Sequence, residues 1–466
     1  MKIVDVTEFY SERGGGVRSH LSLKGHVLCQ LGHEHLTIAP GPRDAESFLE
    51  STAGSALDAS TGLSTEASAR TTSDADARGG TRAENSRSRP VDAGDAQETR
   101  AKRARVLRLG GPALPYDPTY HLLFRVDKIR AAIARERPDV VEIDSPYVAA
   151  AATLSAPRAH FGVRTFVWHA DFIDTYLRPM LERRLERHAP SAVADVALAP
   201  LWAMVRGIAS GCDATFVAGK WQVEKLEAHG VPRVVYLPFG VEKDVFRPDA
   251  RSAAARRARL EQARAPAHAR LLVGVGRFAV EKRWDVVLSA FRRMRRETGR
   301  DAVLVLYGDG PERGRMAAQV ARERAEAGGG AYDDVLMPGF ERSREALAEG
   351  LASADALVHG CPFETFGLGV AEAIAAGLPV VVPSQGGAAE SADPATSELF
   401  AMTPGREAEA CAAAMVRMLA RVDGDPERLR SDASRARERV QSKDGYFDGL
   451  LATYRELLAR RAPRRP

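Results

Sequence analysis

The sequence holds only four cysteines, Cys29, Cys212, Cys361 and Cys411, far apart and without a CxxC or zinc-ligand spacing. That scatter excludes a disulfide framework and leaves reduced, half-buried thiols as the expectation. Long apolar runs are missing too. None approaches the ~20 uninterrupted apolar residues of a membrane helix, and the best stretch, Ala192 to Val205, is broken by Asp195 and Pro200. The opening Met1-Lys2-Ile3-Val4-Asp5-Val6 lacks a basic segment, an apolar run and a small-residue cleavage site in succession. It reads as a strand, and a cytoplasmic rather than secreted protein is expected. Charge of one sign is not in great excess, with 66 Lys and Arg against 62 Asp and Glu. Basic clusters such as Arg292-Arg293-Met294-Arg295-Arg296 and Arg183-Arg184 read as solvated helix faces. Attraction to anionic lipid, and with it peripheral contact with the inner face of a membrane, stays open. A nucleic-acid partner is not expected, because no aromatic-rich basic stripe accompanies these clusters.

What is present suits a folded chain of more than one domain. Hydrophobic residues make up 45% and charged residues 27%, which is enough apolar surface for packed cores. A length of 466 residues exceeds one comfortable core, since domains usually hold ~100 to 200 residues. From Met1 to about Pro42 the order is strand, glycine-rich turn, helix, strand: Ile3 to Val6, Gly14-Gly15-Gly16, Val17 to Leu31, Leu36 to Ala39. From about Asp44 to Lys102 the composition turns to Ser, Thr, Ala, Asp, Gly and Arg with hardly any aliphatics. Such a segment buries too little apolar surface to offset its ordering entropy, and a disordered insertion over 44–102 is expected.

Strand-like runs return at Val106 to Leu109, Val140 to Ile143, Thr165 to Trp168, Ala214 to Val217 and Val234 to Leu237, with helix-length segments between them. A second alternating series starts at Leu271 to Val275. It continues through Ala302 to Leu306, Asp334 to Met337, Ala354 to Val358 and Pro379 to Val382. Alternation of this kind implies parallel sheets covered by helices. The Pro- and Gly-rich stretch from Leu237 to Pro248 marks the boundary, giving an α/β chain with a first domain over 1–238 and a second over 239–440. Phe447, Leu450, Leu451, Tyr454, Leu457 and Leu458 recur at helical spacing, so 441–466 should end as an amphipathic helix packed on something already folded.

In open parallel sheets ligands bind beyond the carboxyl ends of the strands. Gly14-Gly15-Gly16 follows the first strand, where a backbone can approach an anion closely, although the run does not match GxGxxG and a tight turn has the same signature. Arg277 and Lys282 share one post-strand loop, and two cations there can neutralise a diphosphate leaving group; a surface charge pair reads the same way. The most informative stretch is Pro362-Phe363-Glu364-Thr365-Phe366-Gly367-Leu368-Gly369-Val370-Ala371-Glu372, with Glu364 in a loop and Glu372 inside the helix that ends at Gly377. If helical, the eight-residue step spans up to ~12 Å at about 1.5 Å per residue. That separation is too long for an acid/base pair on one bond but suits a grip on two ends of one ligand. The amides of Thr365, Phe366 and Gly367 would point at a phosphate.

With these residues in place the chain resembles a family 4 glycosyltransferase of the GT-B fold. The likeness rests on the E-x7-E pattern of Glu364 and Glu372, the post-strand Arg277 and Lys282, and the glycine loop 14–16. It rests also on Leu237-Pro238-Phe239-Gly240-Val241 with Phe246-Arg247-Pro248, and on Tyr307-Gly308-Asp309-Gly310-Pro311. It covers the chain except the insertion. The resemblance implies two Rossmann-like domains facing a central cleft, with the last helix crossing back to the first domain. It implies a retaining transfer of a hexose from a UDP- or GDP-linked sugar to a hydroxyl of a glycan, glycolipid or small-molecule acceptor, without cofactor or metal. Consistent with that, no DxD is clearly placed for a divalent ion. Glu372 would hold the ribose and Glu364 would lie by the donor sugar. Arg277 and Lys282 would hold the diphosphate, with Gly15 and Gly16 closing on it. Gly310 and Phe340 would stand near the base, and His169, in Thr165-Phe166-Val167-Trp168-His169-Ala170-Asp171, would contact the donor sugar.

Two rival enzymes share such scaffolds. A phosphorylase needs a lysine suited to pyridoxal phosphate, and no such context is evident; a nucleotide-sugar epimerase or hydrolase fits the Glu, Arg and Lys pattern less well. From another class, a catalytically silent nucleotide-sugar-binding scaffold would have lost Glu364, Arg277 or Lys282, and none is lost. An interaction hub built on the insertion is the remaining alternative.

Overall fold

Runs such as Val140–Ile143, Ala302–Tyr307 and Ala356–Val358 are buried at every residue, as strands covered on both faces must be. The computed structural model describes residues 1–10, 16–49, 104–115, 117–185, 191–326, 332–461. Among them, the first sheet has eight strands. From edge to edge these are Val234–Tyr236, Ala214–Val217, Val163–Val167, Val140–Ile143, Lys2–Val6, Glu34–Gly41, Arg105–Gly110 and Ala45–Phe48. All neighbours are parallel except the last pair. The second sheet has six parallel strands, in the order Val335–Gly339, Ala302–Tyr307, Arg270–Val275, Ala356–Val358, Val380–Pro383 and Ser397–Phe400.

Helices cover both sheets through faces written in their spacing. In Trp284–Thr298, Trp284, Val287, Leu288, Phe291 and Met294 are buried, and Gly299 closes the helix in the left-handed region at φ 68° with its amide on Arg295 O. The basic cluster on this helix is less solvated than expected, because Arg292 and Arg295 both pair with Asp334. In the C-terminal helix Lys443–Arg461, Tyr446, Phe447, Leu450, Leu451 and Tyr454 pack against Ile3, Val140, Val163 and Phe216 of the first sheet. The chain leaves and re-enters the first half side by side, Val241 N bonding Gln441 O at 2.9 Å and Lys443 N bonding Val241 O at 2.8 Å.

Two expectations need correction, and a third gains a qualification. The insertion does not begin at Asp44: Ala45–Phe48 is an exposed edge strand, antiparallel to Arg105–Gly110, and Asp44 Oδ1 accepts from Gly110 N at 2.8 Å. Edge pairing draws on backbone groups and asks little of the side chains, so composition does not reveal it. The expected disorder of the remaining insertion falls on residues outside the described ones. The four thiols are buried rather than half-buried, and all are free. Within the helix Ser191–Ser210, the window Val193–Ser210 is long and apolar enough to cross a membrane by length and composition, despite Asp195 and Pro200. Its Leu198, Trp202, Val205 and Ile208 are instead packed with Phe166, Trp168 and Cys212, while Val193, Val196 and Met204 are exposed.

Candidate functional site

Strands Arg270–Val275 and Ala356–Val358 are neighbours in the second sheet, so the loops that follow them converge. The first loop carries Arg277 and, in the short turn Val280–Lys282, Lys282. The second carries His359 and Glu364 before the helix Leu368–Ala375, on which Glu372 sits. Lys282 Nζ bonds Glu364 Oε1, and His359 Nε2 lies 3.2 Å from the same oxygen. Burial pushes the Glu364 carboxyl up, but Lys282 and His359 outweigh it and hold it well below the usual carboxylate range. Burial likewise opposes the Lys282 charge, and Glu364 more than restores it.

The two glutamates of the E-x7-E pattern belong to separate charge clusters. Glu372 is buried against Arg344 at 2.8 Å, and Arg344 also holds Glu242 at 2.9 Å with its guanidinium 4.6 Å from the centre of the Phe246 ring. Burial raises the Glu372 carboxyl, with Arg344 opposing. The amides of Thr365, Phe366 and Gly367 have no acceptor among the described residues. The turn beneath that loop is tight: Gly387 N bonds Glu364 O at 2.7 Å, and a β-carbon on Gly387 would lie 2.6 Å from Thr365 O. Gly310 is equally close to the Arg277 loop, where a β-carbon would lie 2.4 Å from Phe278 O. Phe340 stands exposed past the strand Val335–Gly339.

From the first half, His169 follows the strand Val163–Val167 and Asp144 follows Val140–Ile143, the His169 Nε2 and Asp144 Oδ1 atoms 2.6 Å apart. Burial takes the His169 imidazole down to about 4, so it is neutral at pH 7. Its ring stacks on Phe239 at 5.7 Å and 12°. Gly16 opens the helix Gly16–Gln30, while Gly14 and Gly15 lie outside the described residues.

The two sheets' loops meet at one seam. Thr365 Oγ1 donates to His169 O at 2.9 Å, Trp221 Nε1 to Thr365 O at 3.4 Å, and Lys220 N to Glu390 Oε1 at 2.8 Å. Arg277 reaches across to Asp117, with its guanidinium 5.1 Å from the centre of the Tyr120 ring. The structure therefore brings His169, Arg277, Lys282, Glu364 and Thr365 to one seam and sets Glu372 in its own buried cluster. Sequence reasoning missed Asp144 and His359; each follows a strand, so the rule that ligands bind beyond strand ends could have pointed to them, whereas His169 came from the family resemblance. It also missed Asp117 and Arg344, which carry no local signal.

Residues 269–421 match the protein family described as "Glycosyl transferases group 1". Over 455 residues the chain is 27% identical to a GDP-mannose-dependent alpha-(1-6)-phosphatidylinositol dimannoside mannosyltransferase of Mycobacterium tuberculosis, covering 97% of this chain and 96% of that one. A GDP-mannose-dependent alpha-mannosyltransferase of Mycolicibacterium smegmatis is 31% identical over 331 residues, 70% of this chain and 76% of its own. Among solved structures, sucrose-phosphate synthase from Thermosynechococcus elongatus superposes with a TM-score of 0.66 at 18% identity, covering 98% and 99% of the two chains. A glycosyltransferase from Rickettsia africae gives 0.64 at 15% identity, covering 98% of each. The fold shared with these two structures is GT-B.

Proposed function

The chain belongs to the group 1, family 4-type glycosyltransferases and is a hexosyltransferase, and from that premise we propose a retaining transfer from a GDP- or UDP-linked hexose to a hydroxyl of a glycan, glycolipid or small-molecule acceptor. The observation that carries this reading is the convergence of Arg277, Lys282 and Glu364, beyond adjoining strands of one sheet, with His169 from the other. GDP-mannose is the first donor to test, because relatives matched over most of their length carry that donor in their names. The first of them also names a phosphatidylinositol mannoside, which favours a glycolipid acceptor.

In this reading residues 1–238 form the acceptor domain, 239–440 the donor domain, and 441–466 a helix crossing back. Arg277 and Lys282, now held by Asp117 and Glu364, turn to the donor diphosphate and stabilise charge developing on it as it leaves. The free amides of 365–367 add dipoles, Gly15 and Gly16 close on the phosphates, and Glu372 is set to hold the ribose. Gly310 and Phe340 flank the base, and His169 meets the sugar. Closure of the seam excludes water that would hydrolyse the donor. The enzyme works at the cytoplasmic face of a membrane, touching it peripherally; the exposed Val193, Val196 and Met204 support that placement.

The test is a panel of GDP-, UDP- and ADP-sugars, with thermal stabilisation and turnover measured with and without EDTA. GDP-mannose should stabilise the protein and be consumed in EDTA, with an α-linked product by NMR. Stabilisation by another nucleotide class alone would replace the donor assignment, a β-linked product would overturn retention, and loss of activity in EDTA would overturn metal independence.

A further inference from the structure

Three carboxylates crowd the middle of the first sheet. Asp5, Glu142 and Asp144 are all buried, with an oxygen of each within 4.8 Å of the others. Lys24 Nζ answers two of them, donating to Asp5 Oδ1 at 2.8 Å and Glu142 Oε1 at 2.6 Å. Their remaining oxygens are matched as well: Asp5 Oδ2 lies 2.6 Å from His35 Nε2, and Glu142 Oε2 accepts from Thr165 Oγ1 at 2.8 Å and Tyr454 OH at 2.7 Å. Asp144 has no such support. Its Oδ1 lies 2.6 Å from His169 Nε2, and its Oδ2 is buried without a hydrogen-bond partner.

An ionised Asp144 would be a third negative charge beside two, with half of its acceptor capacity stranded in a low-dielectric interior. Burial, and then the charges of Asp5 and Glu142, push its carboxyl well above the usual range, with Lys24 opposing. His169 is held neutral by its own burial. One proton is therefore shared along the 2.6 Å contact between two neutral groups, and whichever group owns it decides the tautomer of the imidazole. If Asp144 donates, Nε2 is the acceptor and the ring's own proton sits on Nδ1. His169 Nδ1 has no hydrogen-bond partner among the described residues, and the residue lies at the seam, its carbonyl bound by Thr365.

Resting on the donor-site reading above, we propose that Asp144 is a neutral positioning residue that donates to His169 Nε2, so that the imidazole carries its proton on Nδ1 and offers the donor sugar a hydrogen-bond donor. The group it recognises is then a lone pair on a sugar oxygen. A histidine of the opposite tautomer would instead accept from a hydroxyl. The Phe239 stack fixes the plane of the ring, and Asp144 fixes which edge is protonated.

The experiment uses the full chain with 15N-labelled histidine, the His169 signals being assigned by difference from His169→Gln. At neutral pH, Nδ1 should resonate as the protonated nitrogen and Nε2 as the unprotonated one. The reverse overturns the proposal, whether or not the protein turns over any donor. Kinetics give a second arm. Asp144→Asn, whose amide can still donate, should keep kcat within about threefold. Asp144→Leu, which cannot, should lower kcat at least ~10-fold with little change in the donor KM, on the lower side of general acid–base effects. Equal losses in Asn and Leu would mean that a donated hydrogen bond is not what Asp144 supplies, and the idea fails. Should Asp144→Leu not fold, the spectrum and the Asn variant still decide. Normal turnover of His169→Gln would remove the donor-sugar role of His169, while the 15N shifts would still score the tautomer.

Discussion

Glu364 and Lys282 are a partly buried ion pair, and such pairs make an asymmetric demand: removing one partner strands the other charge. Glu364→Ala or Lys282→Ala should each lower turnover at least ~100-fold, the scale of losing one electrostatic donor in a transition state. Each should also lower the melting temperature. The double variant Lys282→Met/Glu364→Gln should regain the stability and not the turnover, which separates catalysis from folding; full activity in either single variant would remove the pair from the site. Glu8 makes a different prediction. Burial pushes its carboxyl up to about 7, against backbone hydrogen bonds led by that from Ala149 N at 2.6 Å. A carboxyl raised in the folded state stabilises below its unfolded value near 4.5, and that stability is lost as pH rises through about 7. Glu8→Gln should therefore gain on the wild type between pH 5 and 8, by up to ~3 kcal/mol at about 1.36 kcal/mol per unit. Urea midpoints at the two pH values check this, and a constant difference would show that Glu8 does not titrate in the window.

At the scale of elements, the edge strand Ala45–Phe48 changes how the insertion should be cut. Leu49 N bonds Ala104 O at 2.9 Å, continuing the antiparallel ladder with Arg105–Gly110, so the residues flanking 50–103 lie side by side. A two-residue Asn-Gly turn suits such a junction. Replacing 50–103 with it should leave turnover within threefold and the melting temperature within a few degrees, while deleting 44–102 should cost stability by removing the strand and the Asp44 bonds to Gly110 and Lys128. Loss of turnover in the shorter deletion at unchanged stability would give the insertion a functional role. The site loops follow the same logic, since Glu364 and Lys282 meet because the strands before their loops are adjacent in the sheet.

Across the whole molecule, the contact with most leverage is Asp117 on Arg277. Asp117 is buried, with its Oδ1 accepting from Thr119 Oγ1 at 2.6 Å, and it occupies a cation that the donor diphosphate would need. In the proposed donor site a donor would have to displace it, and part of its binding free energy would go into that exchange. Asp117→Asn should tighten GDP-mannose binding by at least ~3-fold by calorimetry, a shift of about 0.6 kcal/mol; weaker or unchanged binding would show that Asp117 builds the site rather than competing for it.

Sequence alone determined the alternation of strands and helices, the division into two parallel sheets, and most of the post-strand residues gathered at the seam. These are local facts: a strand buried on both faces is a short apolar run, a helix repeats its apolar face every three or four residues, and ligand-facing residues follow strand ends. Tertiary structure alone decided that Arg277 meets Asp117, 160 residues away. It decided too that Glu372 is held by Arg344 rather than by anything near Glu364, that Ala45–Phe48 pairs at an edge, and that Asp144 sits unsupported beside two other carboxylates. Each of these depends on which distant segments pack together, and the cost or gain of bringing charges into one buried volume has no counterpart in the linear pattern that precedes folding.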